Sequence, residues 1–138
     1  MDFTADNTIL THAGVLAMLQ AGVSKAEEIG QPQCIVIVDA SGEVLGEIRM
    51  TGAKFLSRKS ARSKARTAAS IGAPTTGIPE AVRPAIAAAT QGEMTGLGGG
   101  LPIRIGGALL GGIGVGSGSP DQDVVVAGAA LAAIGADG

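Results

Sequence analysis

Arg49, Lys54, Lys59 and Lys64 are the residues of this chain best suited to holding an anion. Six of its ten Lys and Arg residues fall between Lys54 and Arg66, Arg49 lies just before them, and no acid occurs from Ile48 to Pro79. The net charge is nevertheless −2, so the remainder of the chain is acidic. A block of one sign points to an anionic ligand or partner. Arginine keeps its charge and grips a carboxylate through two parallel hydrogen bonds, so Arg49 suits a carboxylate or propionate. Lys64 and Asp39 are the candidates for moving a proton beside it. The competing reading is a solvated helix face paired with acids elsewhere in the fold, with Arg49 in an ion pair to Glu47 or Asp39.

His12 is the only histidine. Imidazole titrates near neutral pH and ligates iron, so His12 reads as an axial haem ligand or an acid/base, or else as a half-exposed helix residue. Several chemistries are excluded or disfavoured. No Gly-x4-Gly-Lys-Ser/Thr occurs, and Gly98 and Gly100 would need glycine where Ile103 stands to complete a dinucleotide fingerprint. No Gly-x-Ser-x-Gly elbow exists. His12 and Cys34 fall short of the four ligands of a structural zinc site, so no metal is expected within one subunit. The acidic balance and the lack of stacking aromatics argue against nucleic acid. Cys34, the single cysteine, precedes an apolar run and reads as buried and inert.

These residues need elements to position them. Helical spacing runs from about Thr8 to Ile29, with Asn7 or Thr8 as cap, Ile9, Leu10, Ala13, Leu16 and Ala17 on the pattern, and Gly30 and Pro32 as the stop. Cys34–Val38 is apolar on both faces and reads as a central strand. Asp39–Gly42 is a turn, and Val44–Met50 alternates back as its hairpin partner. Lys54–Ser70 is a helix with Ala61, Ala65, Ala68 and Ala69 on one narrow face and Arg58, Arg62 and Arg66 on another. A Gly/Pro-punctuated link from Thr75 to Gln91 carries a short helix over Pro84–Thr90. Leu101–Ile105 and Ala108–Val115 are strands joined at Gly106-Gly107, where both turn positions take positive φ. Gly111, Gly112 and Gly114 weaken the second strand unless backbone or a ligand approaches closely there. Ser119, Pro120 and Gln122 form the capping box of a last helix through Ile134. Hairpins in place of βαβ crossovers predict an α+β sandwich, an antiparallel sheet flanked by helices.

The chain has 138 residues, enough for one domain spanning 1–138, and 46% are hydrophobic. Phe3 and Phe55 are its only aromatics, against 23 glycines. Aliphatics and alanine must build the core, which leaves little apolar area per subunit and predicts homo-oligomers. No apolar stretch is long enough to span a membrane and no cleavable leader opens the sequence, which predicts a cytoplasmic protein.

Five motifs, in order, resemble the GlcG/HbpS-like family, which includes haem-binding and haem-degrading proteins and the C-terminal domain of PduO-type proteins. Ile35–Gly42 is similar to its VDxxG hairpin. Arg49–Ala53 is similar to its RMDGA element, with Thr51 in place of Asp. Lys64–Ala68 is similar to its KAxTA helix, and Gly98–Ile103 to its GGxPI strand. Gly112–Gly118 followed by Asp121–Asp123 is similar to GxIGVSG…xxQD, with Gly116 and Ser117 departing from the usual order. The resemblance covers about Thr8 to Ile134. It implies an antiparallel sheet flanked by helices, and dimers that build octamers. It also implies a small anionic ligand near Arg49, Met50, Lys54, Lys59, Lys64, Thr67, Gly99 and Gly100. Haem is the first candidate ligand, with iron held by His12, by Met50 or by a residue of a second subunit. The alternatives are a lyase acting on a small aromatic carboxylate such as hydroxylaminobenzoate, with Arg49 orienting the carboxylate, and a structural oligomer without chemistry.

Overall fold

Side-chain alternation in the first strand sets the layers. The computed structural model describes residues 1–137. In β1 (Cys34–Asp39), Ile35 and Ile37 point to one face and pack with Val15, Met18, Val126 and Leu131. Cys34, Val36 and Val38 point to the other and pack with Ala53, Ala61, Ala65 and Ala69. Helices α1 (His12–Glu28) and α4 (Pro120–Ala133) therefore cover one face, and α2 (Ser57–Ile71) covers the other.

The remaining strands are β2 (Val44–Arg49), β3 (Gly100–Ile105) and β4 (Ala108–Gly116). Their order is β2-β1-β4-β3 and every pairing is antiparallel. The two expected hairpins thus meet along β1 and β4. Gly106 and Gly107 turn the second hairpin at φ 58° and 81°. The α+β sandwich predicted from the sequence is the fold observed.

Several boundaries move. The cap of α1 is Thr11 rather than Asn7 or Thr8: its hydroxyl accepts the Gly14 N–H at 3.2 Å. The stripe that packs is Val15, Met18, Gly22 and Ala26, and it begins one turn after Thr11. Ile9 and Leu10 precede the helix, and Ile9 and Leu16 are 71% and 64% exposed. Helix α2 begins at Ser57, three residues after Lys54. The linking segment forms two 3-10 turns, Thr75–Gly77 and Glu80–Val82, then α3 (Arg83–Ala89). The capping box of α4 is present as read, with Ser119 and Gln122 bonded reciprocally.

The glycines of β4 are explained by backbone approach. Gly112 and Gly114 alternate with Ile113 and Val115, and they face α2. A Cβ at Gly114 would stand 1.9 Å from the Ala61 carbonyl oxygen, and one at Gly112 would stand 2.2 Å from that of Ala65. Helix backbone occupies the space a side chain would need.

Candidate functional site

Lys64 does not join the solvent-facing basic surface. Only 5% exposed, its Nζ donates to the Val115 carbonyl at 2.8 Å and to Asp123 Oδ2 at 3.1 Å. The ion pair links α2 to α4 past the end of the sheet. Burial makes such a pair structural, because either charge alone would be left without solvent. Asp123 is the residue the sequence reading missed, and it lies 59 positions from Lys64. Its Oδ1 also accepts the Gly118 N–H at 3.1 Å.

Gly99 and Gly100 serve the same packing. A Cβ on Gly99 (φ 116°) would lie 2.7 Å from Asp123 Cβ and 3.2 Å from Lys64 Nζ. On Gly100 it would lie 2.5 Å from the Lys64 carbonyl oxygen. Thr67 is fully buried; its hydroxyl donates to the Glu93 carbonyl and accepts the Thr95 N–H. Lys64, Gly99 and Gly100 are therefore packed against one another, and Thr67 is buried against Glu93 and Thr95.

Asp39 closes the β1–β2 turn. Its Oδ1 accepts from Ser41 N–H at 2.9 Å, Ser41 hydroxyl at 2.8 Å and Glu43 N–H at 3.1 Å. The Ser41 hydroxyl, with these backbone bonds, holds its carboxyl below the usual carboxylate range. Arg49 sits at the opposite end of the hairpin, across from Cys34. Asp39, Arg49 and Lys64 therefore do not converge as an acid–base set.

Arg49 makes neither expected ion pair; its Nε donates to the Ala53 carbonyl at 3.2 Å. It borders a groove with Val23, Glu27, Gln31 and Met50. The Met50 sulfur accepts the Gln33 N–H at 3.4 Å. Of the basic helix, Arg58 pairs with Glu47 and Arg66 with Glu93. Lys54, Lys59 and Arg62 make no ion pair among the described residues. Lys59 and Arg62 border a shallow hollow of about 230 Å³ with Phe55, Arg58 and Glu47. Cys34 is buried, its thiol donates to the Lys54 carbonyl at 3.6 Å, and burial pushes its pKa up.

His12 is exposed and is the first residue of α1. Leu16, also exposed, follows four positions later on the same helix face. Just before the helix, Ile9 and Leu10 line a hollow of about 320 Å³ with Leu45, Leu110 and the turn residues Asp39–Ser41. Imidazole, exposed aliphatic surface and apolar hollow thus occur in one stretch of chain. Among the described residues no three His, Cys, Asp or Glu side chains gather as a metal site, and no helix is long and apolar enough to cross a membrane.

Comparison with known proteins fits this architecture. The chain is 38% identical over 122 residues to the corrinoid adenosyltransferase PduO of Citrobacter freundii, an alignment covering 85% of this chain but only 36% of that enzyme. The crystal structure of a PduOC–haem complex superposes with a TM-score of 0.88 at 30% identity, covering 94% of this chain and 98% of the other. Protein ORFY of Klebsiella pneumoniae gives 0.93 at 29% identity, covering 100% and 99%. HbpS gives 0.83 at 34% identity, covering 94% and 93%. The model of the haem-degrading protein HbpS-like family matches residues 10–132, and the chain belongs to that family.

Proposed function

We propose that the chain binds haem at its surface, with His12 as the iron ligand and a second copy of the chain completing the site. The observation that carries this reading is the placement of His12. It stands exposed at the start of α1, on the face that also exposes Leu16, and two residues after Leu10, which lines a hollow with Ile9 and Leu45. Haem supplies iron that takes an imidazole nitrogen, and an apolar macrocycle that covers aliphatic side chains. The donor set fits both demands. The hollow is at the low end of the roughly 300–1,000 Å³ of ligand pockets, so it covers an edge of a macrocycle rather than all of it. A second copy supplies the remaining cover. Lys54, Lys59 and Arg62, which make no ion pair among the described residues and lie on the α2 side of the sheet, are the cations that the second copy brings to the propionates. Met50 is the weaker iron ligand, because its sulfur already accepts a backbone N–H. The similarity to a PduOC–haem complex supports the same reading.

The lyase reading is not favoured, since Arg49, Lys64 and Asp39 serve three separate places. A reducing, cytoplasmic setting suits the single buried thiol.

Visible absorption during titration with hemin tests the proposal, with His12→Ala as comparison. The expected result is a sharp, saturable Soret band at one haem per subunit or per dimer, lost in the variant. A broad signal that does not saturate and ignores the substitution would overturn it.

A further inference from the structure

The two outer strands of the sheet differ in what covers them. At the β3 edge, Pro102 offers no N–H, and the Arg104 carbonyl is already taken by the Asp137 N–H at 2.7 Å. These are the usual ways a protein blunts an exposed edge. The β2 edge has neither device. It contains no proline, and among the described residues β1 is its only strand partner. Its side chains Val44, Leu45 and Ile48 are exposed, and so are Leu16 on one side of the sheet and Phe55 on the other. Apolar side chains thus flank a row of unpaired backbone groups.

We propose that β2 pairs antiparallel with β2 of a second copy, giving one continuous eight-stranded sheet. The inference goes beyond the haem reading and does not rest on it, since the surface lies at the Arg49 end of β2 and the hollow at the Leu45 end. Backbone direction limits the register. The Met50 N–H bonds inward to the Gln33 carbonyl at 3.0 Å. Inward and outward groups alternate along an antiparallel strand, so Ile48 and Gly46 also turn inward, and Glu47 and Arg49 turn outward. Only residues of the outward set can exchange hydrogen bonds with another strand. A twofold axis at Glu47 sets Glu47 against its own copy, which like charges disfavour. An axis at Gly46 sets Glu47 against Leu45. An axis at Ile48 sets Glu47 against Arg49 twice, with Ile48 meeting its copy between them.

The side chains are free for that last register. Glu47 and Arg49 lie on the same face of β2. Arg58 takes Oε1 of Glu47, leaving the second carboxylate oxygen. Arg49 commits only its Nε, leaving both terminal nitrogens. The strand is self-complementary in backbone, charge and apolar surface, which is what a twofold interface requires. The register irregularity between Ile37 and Val38 confines the pairing to the Arg49 half of the strand.

Two measurements test this. Sedimentation velocity of Arg49→Glu should show a shift to smaller species, since carboxylates then face each other. The charge-swapped Glu47→Arg/Arg49→Glu should recover the wild-type distribution. Amide hydrogen exchange of the wild type should show Glu47 and Arg49 protected about 100-fold or more against a free edge, falling on dilution. A wild-type monomer at tens of micromolar would overturn the interface. So would outward amides at Glu47 and Arg49 that exchange as freely as a loop while Ile48 stays protected. An Arg49→Glu protein that no longer assembles but still gives the His12-dependent Soret band would separate the two proposals, because the edge would stand while haem binding would not need it.

Discussion

On the α1/α4 side of the sheet, Ile35, Ile37, Ile113 and Val115 meet Met18, Val126 and Leu131; on the α2 side, Gly112 and Gly114 lie against the backbone of Ala61 and Ala65. The first face is filled by side-chain volume. Each large aliphatic buried there contributes roughly 1.5–3 kcal/mol. The second face buries smaller side chains, Cys34, Val36 and Val38 against alanines, and along β4 it gains from backbone contact at short range, where dispersion is collectively large. The difference accounts for a composition rich in glycine and nearly without aromatics. It also predicts opposite tolerances. The first face should forgive a lost methyl, and the second should not forgive an added one.

The sharpest way to break that contrast is Gly114→Ala. A Cβ 1.9 Å from the Ala61 oxygen can be relieved only by moving α2 off the sheet. The expected loss is upwards of about 3 kcal/mol, at the severe end of overpacking. Ile113→Val, one residue away on the other face, should cost about 1 kcal/mol. Urea unfolding of both variants measures the pair. Equal losses would mean that the two faces are packed alike.

Lys64 joins the two faces, because it leaves α2 and ends at Asp123 on α4. Lys64→Met should cost about 3 kcal/mol, chiefly by leaving Asp123 buried without its partner. Lys64→Met/Asp123→Leu should recover most of that loss, as removing both charges of a buried pair commonly does. Thermal melts of the two variants decide it. A double variant as unstable as the single one would show that Lys64 acts through the Val115 carbonyl instead.

The elements were legible wherever local chemistry marks them. Ser119, Pro120 and Gln122 announce α4, and Gly106-Gly107 announces the second hairpin. The start of α1 was ambiguous because Thr8 and Thr11 both carry cap-forming hydroxyls, and only the packed stripe from Val15 selects between them. The site was less legible because its candidates were chosen by charge, and burial is decided by contacts distant in sequence. Lys64 sits in a run of cations that otherwise face solvent, with nothing local to distinguish it. Gly99 and Gly100 look like room for a ligand, but Lys64, Thr75 and Asp123 fill the space beside them. Arg58 and Arg66 did find acids, as the bland reading of the basic helix expects, whereas Arg49, Lys59 and Arg62 did not.

The smallest effect belongs to Asp39, which closes the hairpin where both faces end. Its carboxyl is held below the usual range by the Ser41 hydroxyl first and by backbone N–H groups of the turn. A depressed carboxyl stabilises the fold above its unfolded pKa of about 3.9, and that contribution is lost as pH falls through the lower folded value. The turn is close to solvent, so the contribution is modest. Asp39→Ala should cost about 1 kcal/mol at pH 7, the loss of a local hydrogen-bond acceptor, and the gap to wild type should narrow below about pH 4. Denaturation midpoints from pH 3 to pH 7 measure this. A gap constant across that range would mean that the turn holds as well with a neutral carboxyl, and that Asp39 acts by shape rather than charge.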